Sequence, residues 1–287
     1  MNEKMTLTMV TEELQARGYD AAYMEINKTN VVKPSICIRR NNVGVNFYAG
    51  TFKNLDAPIT TLADEVEEQL DEFFDSAPDT SKLCDPEYVR THLTVRLCNE
   101  SWNQERLAEA VKARVFDTDL IQYLMLTVEL PNRGTGACVV TKKVLEAAGI
   151  SEAEAWNCAY RYLDAQVKDM RIIMAEMMGL SVEEIPPMAM AVISNSDKCY
   201  GSTAILSREA LEQAATLLGT DSIYLIPSSV HECIAVPAGI SEESILTNMI
   251  CEVNGDVVNQ DEWLSDHPYI WDGTRLRSAG VQKEGAL

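Results

Sequence analysis

The sequence predicts an α+β protein, with an N-terminal α-β-β-β-α module followed by a larger mixed α/β domain. Three observations carry this prediction. Within residues 1–75, two segments with the apolar spacing of a helix flank three short runs rich in β-branched residues. A stretch rich in Pro, Asp and Ser follows at 76–86. Beyond it, short apolar runs stopped by Pro alternate with segments that open on Ser and close on Gly, the signals of strands and capped helices. The expected boundaries are 1–78 for the module and 85–275 for the larger domain. A flexible tail is expected at 276–287, where apolar residues become sparse.

In chain order, residues 3–17 read as a helix stopped by Gly18, with Met5, Met9 and Leu14 as a partial stripe. Strands are expected at 23–27, 31–40 and 43–48, the last two joined by an Asn41-Asn42 turn, with Pro34 pushing its strand to an edge or starting it later. Residues 59–74 form an amphipathic helix through Leu62, Val66, Leu70 and Phe73; its run of Asp and Glu reads as a solvated face. Asp85-Pro86 starts a helix to residue 92, and a strand follows at 94–98. A turn at 99–103, a helix at 104–113 and a buried strand at 120–130 come next, the strand stopped by Pro131. Residues 132–136 read as a hairpin turn into a strand at 137–141, then a short helix ends at Gly149. Ser151, with Glu154 in the capping-box position, starts a helix at 152–166 that buries Trp156, Ala159, Tyr160 and Leu163. Residues 170–179 read as a strand running into a short helix. Residues 188–194 and 199–206 read as paired strands about a turn at 195–198. Ser207 caps a helix to Leu218, which Gly219 stops. Strands at 223–226 and 230–236 enclose Pro227-Ser228-Ser229, and Ser241 caps a helix at 241–253 before Gly255 breaks the chain.

The chain has 287 residues, 46% of them hydrophobic and 24% charged, ordinary globular usage that can bury a substantial core. There are 44 acidic residues against 24 basic ones, a net charge of −20. Such a surface repels phosphates and anionic lipid heads, so a nucleic-acid or membrane-surface role is not expected. Solubility is the first explanation of the charge and an unknown protein partner the second. Residues 1–17 carry Glu3, Lys4, Glu12 and Glu13 among their apolar positions, so no uninterrupted signal-peptide core is read there, and no window is apolar enough to span a bilayer. The eight cysteines are widely spaced, with no C-x-x-C pair, and are expected as buried, reduced thiols in a cytoplasmic protein.

The densest cluster of versatile side chains lies at 228–232, Ser-Ser-Val-His-Glu. On a strand, Ser229 and His231 would share one side, the pairing a serine nucleophile needs, and Glu232 would face away. A third member would come from Asp261, Glu262 or Asp266. No Gly-x-Ser-x-Gly elbow exposes the serine, so a hydrogen-bonded structural corner is preferred over catalysis through Ser229, His231 and Glu232. His92, His231 and His267 are the only histidines and show no metal-ligand spacing, so no metal and no cofactor are expected. The turn at 132–136 completes neither phosphate-binding glycine pattern. Tyr200-Gly201 is expected to allow close packing in a strand. The methionines of 170–190 read as core filler, with a plastic partner groove as the lesser alternative.

Tyr224 to Glu232, Met249 to Asn254 and Leu264-Ser265-Asp266, together with 136–149, the Trp156 helix and 200–206, resemble an uncharacterised domain-of-unknown-function family found mainly in Gram-positive gut anaerobes. Cys233 departs from the aliphatic or β-branched residue expected there. The resemblance implies a shared fold and an intracellular bacterial origin, and it transfers no activity. The expected function is a non-catalytic interaction or regulatory protein, with a small Ser/His hydrolase as the alternative.

Overall fold

A computed structural model describes residues 2–40, 43–75, 79–130 and 134–279. The class is α+β, and the chain divides into two compact units, Met1–Lys82 with Thr127–Cys138, and Leu83–Leu126 with Val139–Leu287.

In the first unit, α1 (Glu3–Ala16) begins where the Asn2 side chain accepts the Lys4 amide, and it precedes β1 (Ala21–Asn27), β2 (Val32–Arg40), β3 (Val43–Tyr48) and α2 (Ile59–Asp75). Leu7, Val10 and Leu14 of α1 and Leu62, Val66 and Leu70 of α2 pack with Ile36, Ile38 and Phe47 of the sheet. Arg17 joins the two helices, reaching Asp64 at 2.7 Å and Glu67 at 2.8 Å. The sheet order is β1-β2-β3, so Pro34 lies in the central strand. The pairing with β3 starts only at Ser35, so at Pro34 the strand is locally an edge and its missing N–H costs no ladder bond on that side. The Asn41-Asn42 turn lies outside the described residues.

The second unit opens with α3 (Pro86–His92), capped by Asp85, and β4 (Leu93–Asn99). Residues 76–78 of the expected linker lie outside the described residues, and Thr80–Cys84 forms a 3-10 turn. Then follow β5 (Lys112–Arg114), β6 (Leu120–Leu130), β7 (Gly134–Val139), α4 (Lys142–Ala148) and α5 (Glu152–Arg161). Strand β6 pairs with β4, β5 and β7, and both β6 and β7 run from one unit into the other. The main sheet takes β8 (Gln166–Asp169), β9 (Ala191–Ser194), β10 (Ile223–Pro227), β11 (Cys233–Pro237), β12 (Tyr269–Trp271) and β13 (Leu276–Ser278) in the antiparallel order β13-β12-β10-β11-β9-β8. Between β8 and β9 lies α6 (Met170–Met178), before β10 lies α7 (Arg208–Leu218), and after β11 lies α8 (Glu243–Asp256). Strand alternation divides the sheet's side chains between two cores. Ile223, Leu225, Cys233 and Ala235 pack with Leu211 and Ala214 of α7, whereas Tyr224, Ile226 and Val236 pack with Leu246 and Ile250 of α8.

Several expectations are corrected. Residues 104–109 form turns and 112–114 a strand rather than one helix, because Val111 is drawn into the sheet: its amide donates to Val140 and its carbonyl accepts from Leu124. Helix α5 stops at Arg161 and buries the small residues Ala155, Cys158 and Ala159, leaving Tyr160 exposed. Gly201–Leu206 is a 3-10 helix, and β9 pairs with β8 and β11 instead. Helix α8 starts at Glu243 without a side-chain cap and continues through Gly255. Gly134 to Gly136 belongs to β7, while Asn132 and Arg133 lie outside the described residues. The expected tail contributes β13, and residues 280–287 lie outside the described residues. All eight cysteines are free; Cys37, Cys98, Cys158 and Cys233 are buried, whereas Cys84, Cys199 and Cys251 are exposed. No helix among the described residues is long and apolar enough to cross a membrane.

Candidate functional site

The registers bring one set of strand ends together. Cys233 pairs with both Pro227 and Ile193, and Leu225 pairs with Tyr269, so β9 and β10 end where β11 and β12 begin. The Ser-Ser-Val-His-Glu corner sits at this end of the sheet. It is a turn rather than a strand, since β11 starts only at Cys233, and strand alternation therefore does not apply to Ser229 and His231. The Ser229 amide donates to the Glu232 carbonyl at 3.3 Å. The Ser229 hydroxyl oxygen accepts the His231 backbone amide at 3.0 Å, a local serine turn.

The rest of the corner is held by backbone groups. Val230 donates to the Glu262 carbonyl at 2.8 Å, and its own carbonyl accepts from Ser202 Oγ at 2.7 Å. The His231 carbonyl accepts from Ser194 Oγ at 2.8 Å. The Tyr200 amide donates to His231 Nδ1 at 3.1 Å. The other ring nitrogen, Nε2, faces Glu262 Oε1 at 3.5 Å. Tyr200 adopts the left-handed backbone (φ 52°), its ring lies beside the imidazole, and the Arg96 guanidinium stacks 3.5 Å from the ring centroid. Gly201 closes the arrangement, for a Cβ there would lie 2.3 Å from Ser194 Oγ and 2.7 Å from the His231 carbonyl oxygen.

The chemistry available follows from these partners. In a serine hydrolase the imidazole's unprotonated nitrogen takes the hydroxyl proton. Here Nδ1 is occupied by an amide N–H, and Ser229 Oγ is occupied by another. Of the candidate third members, Glu262 meets His231, and Asp266 meets the other histidine of the region, His267. Glu232 is half-buried beside the turn. His92 lies apart on α3, stacked on Tyr88 with ring centroids 3.9 Å apart.

A second polar cluster stands beside β12. His267 Nδ1 lies 2.8 Å from Asp266 Oδ1 and 3.2 Å from Ser265 Oγ, and Nε2 faces Asp119 Oδ1 at 3.5 Å. That last separation is an ion-pair distance without hydrogen-bond alignment, and buried Nε2 has no hydrogen-bond partner among the described residues. Asp119 Oδ1 accepts from Tyr269 Oη at 2.7 Å, and Oδ2 accepts from Asn99. Burial opposes charge on His267, but Asp119 and Asp266 outweigh it and hold its pKa above the ordinary imidazole value. Burial likewise opposes charge on Asp119, and the neighbouring His267 together with the bonds from Tyr269 and Asn99 outweigh it, so its pKa is lowered. Burial, then the Asp119 charge, pushes Tyr269 well above the ordinary phenol value. The cluster sets the His267 imidazole between two carboxylates, Asp266 and Asp119. Sequence reasoning reached His267 and Asp266 but missed Asp119, Asn99 and Tyr269; nothing local marks an acid in the turn before β6 as the partner of a tyrosine 150 residues away.

Two concavities lie away from the corner. One cavity of about 510 Å³ between α3 and α5 is lined by Arg90, Glu154, Cys158 and Arg161, and another of about 520 Å³ near α4 by Lys112, Lys142 and Lys143. Among the described residues, no group of three or more His, Cys, Asp or Glu side chains could hold a metal ion. The methionine-rich segment is no core filler at its centre: α6 buries only Ala175, while Ile172, Met177 and Met178 are 40%, 83% and 60% exposed. Leu180 and Met190 are also exposed, and the Met190 carbonyl accepts the Met170 amide at 3.0 Å, which brings Met190 back to the start of the helix.

A family model described as a family of unknown function (DUF5688) matches residues 3–273. No curated protein and no solved structure matches the chain.

Proposed function

We propose, for a chain that belongs to DUF5688, a family of unknown function, that it works in the cytoplasm as a non-catalytic interaction or regulatory protein. The observation that carries the reading is the uncovered face of α6. A nine-residue helix that buries one alanine and exposes Ile172, Met177 and Met178 leaves apolar surface in water. Covering such surface returns about 25 cal/mol per Å². Methionine suits the task because its flexible, polarisable side chain adapts to a partner's shape. The corner adds support of a negative kind: the two groups a Ser/His hydrolase would use both accept backbone amides.

The test is affinity capture from the native host, with tagged wild type compared with a Met177→Ser/Met178→Ser variant. The expected result is a partner recovered by the wild type and reduced about tenfold by the variant. Recovery of the same proteins in equal amounts by both, or of none above background in mild salt, would count against the reading.

A further inference from the structure

We propose that the outward face of α8 docks a basic amphipathic helix of a partner protein. The inference rests on α8 alone and is independent of α6. At roughly 100° per residue, Leu246, Ile250 and Asn254 occupy one arc of α8 and are buried. Ile245, Met249 and Val253 fall on the adjoining arc and are 56%, 41% and 38% exposed. Val257, 79% exposed, continues the row beyond the helix end. The apolar sector of α8 is therefore about twice as wide as the part that the sheet covers. From Ile245 to Val257 the row runs about 18 Å, and anchors spaced by four residues match the spacing with which a partner helix presents its own apolar side.

Charge selects the occupant. Glu252 and Asp256 border the row on the side away from the core, and both are exposed. From Glu209 to Thr274 the chain holds twelve acidic residues and no lysine or arginine. Glu243, on the core-facing side, lies 3.3 Å from the Tyr224 hydroxyl and is the α8 acid already in use. Arg277 of β13 lies opposite Ile270 on the core-facing side, near Tyr224, whereas the outer border of the row carries Glu252 and Asp256; an apolar row with that acidic border favours a helix with a Lys/Arg face beside its apolar stripe. A second copy would set Glu252 and Asp256 against a surface equally acidic, and anionic lipid or nucleic acid would be repelled by the same border.

The probe is a fluorescent peptide of about sixteen residues built from Leu and Lys, with Leu at i, i+3, i+4 and i+7. Its controls are a scrambled peptide of the same composition and a Leu/Glu counterpart. Anisotropy titration against the full chain should show the Leu/Lys helix binding at least about tenfold more tightly than either control. Met249→Ser/Val253→Ser should weaken it about tenfold. Glu252→Gln/Asp256→Asn should weaken it about threefold to tenfold and flatten its salt dependence. These positions are exposed, and matching circular dichroism and melting curves confirm that the variants fold. Met177→Ser/Met178→Ser should leave peptide binding unchanged. The proposal is overturned if the scrambled peptide binds as well, if the α8 variants bind like wild type, or if sedimentation shows a dimer that the α8 variants abolish. Failure here together with α6-dependent partner capture would sink the α8 assignment and leave the interaction reading standing; the reverse pattern would do the opposite.

Discussion

Gly201 has no room for a side chain. A methyl group there would meet Ser194 Oγ at 2.3 Å, the Asn195 amide nitrogen at 2.6 Å and the His231 carbonyl oxygen at 2.7 Å, and two of those three atoms are backbone. Gly201→Ala is expected to cost about 3 kcal/mol, read as a lower urea midpoint at unchanged slope; a loss below about 0.5 kcal/mol would contradict the packing. His267 carries the pH dependence. Its pKa is raised on folding, so its contribution is fully present below the unfolded value of about 6.5 and is lost as pH rises through the folded value. Asp119 is lowered, so its contribution is present above about 3.9 and is lost as pH falls through its folded value. The stability difference between wild type and His267→Gln should therefore be largest near pH 5 to 6 and shrink toward pH 9. A difference that grows with pH would refute this pairing. Of these residues, His231 and His267 stand out in the sequence because imidazoles are rare in it. Asp119 does not, because it contributes a carboxylate from a distant turn, and the contacts of Tyr200 with His231, through its amide and its ring, are likewise made across 31 residues.

Elements that carry their own start and stop signals were legible. Helix α7 opens on Ser207, whose hydroxyl accepts the Ala210 amide, and closes on Gly219 in the left-handed region, so both ends are written locally. Strand β6 is bounded by its apolar composition and fills both faces of its sheet, Leu120 and Leu124 on one side and Ile121, Tyr123 and Met125 on the other. Ser207→Ala should lower stability by about 1 kcal/mol, measured by thermal melting with Gly and Asp replacements for comparison; Asp should restore most of the loss. Elements set by a neighbour were not legible. Residues 104–109 have helical composition, yet the free edge of β6 takes Val111 and the strand after it. The 3-10 helix from Gly201 follows from the left-handed Lys198 and Tyr200, which turn the chain back under the corner. Residues 230–232, expected as the start of a strand, belong to the turn for the same reason, since their hydrogen bonds go to Ser194, Tyr200, Ser202 and Glu262 instead of to a ladder.

Across the molecule, the α+β class followed from the two periodicities, helical in some segments and alternating in others, whereas the pairing order of the main sheet did not. Its antiparallel order depends on which ends meet, and that is decided by packing between α7 on one face and α8 on the other. The uneven use of charge is a global property too: a chain with net charge −20 places much of it in one long segment that has no base to offset it. The path of the chain has a further consequence. Residues 1–82 form one unit only together with 127–138, which are synthesised after another 44 residues of the second unit have passed. At roughly 5–20 residues per second, a ribosome takes about 3 to 11 s to travel from residue 82 to residue 138. For that interval the nascent N-terminal segment waits, incomplete, outside the exit tunnel or within it. Completion of the first unit is thus timed by translation speed along residues 127–138, and a slow stretch of codons there would lengthen its exposure to chaperones and proteases.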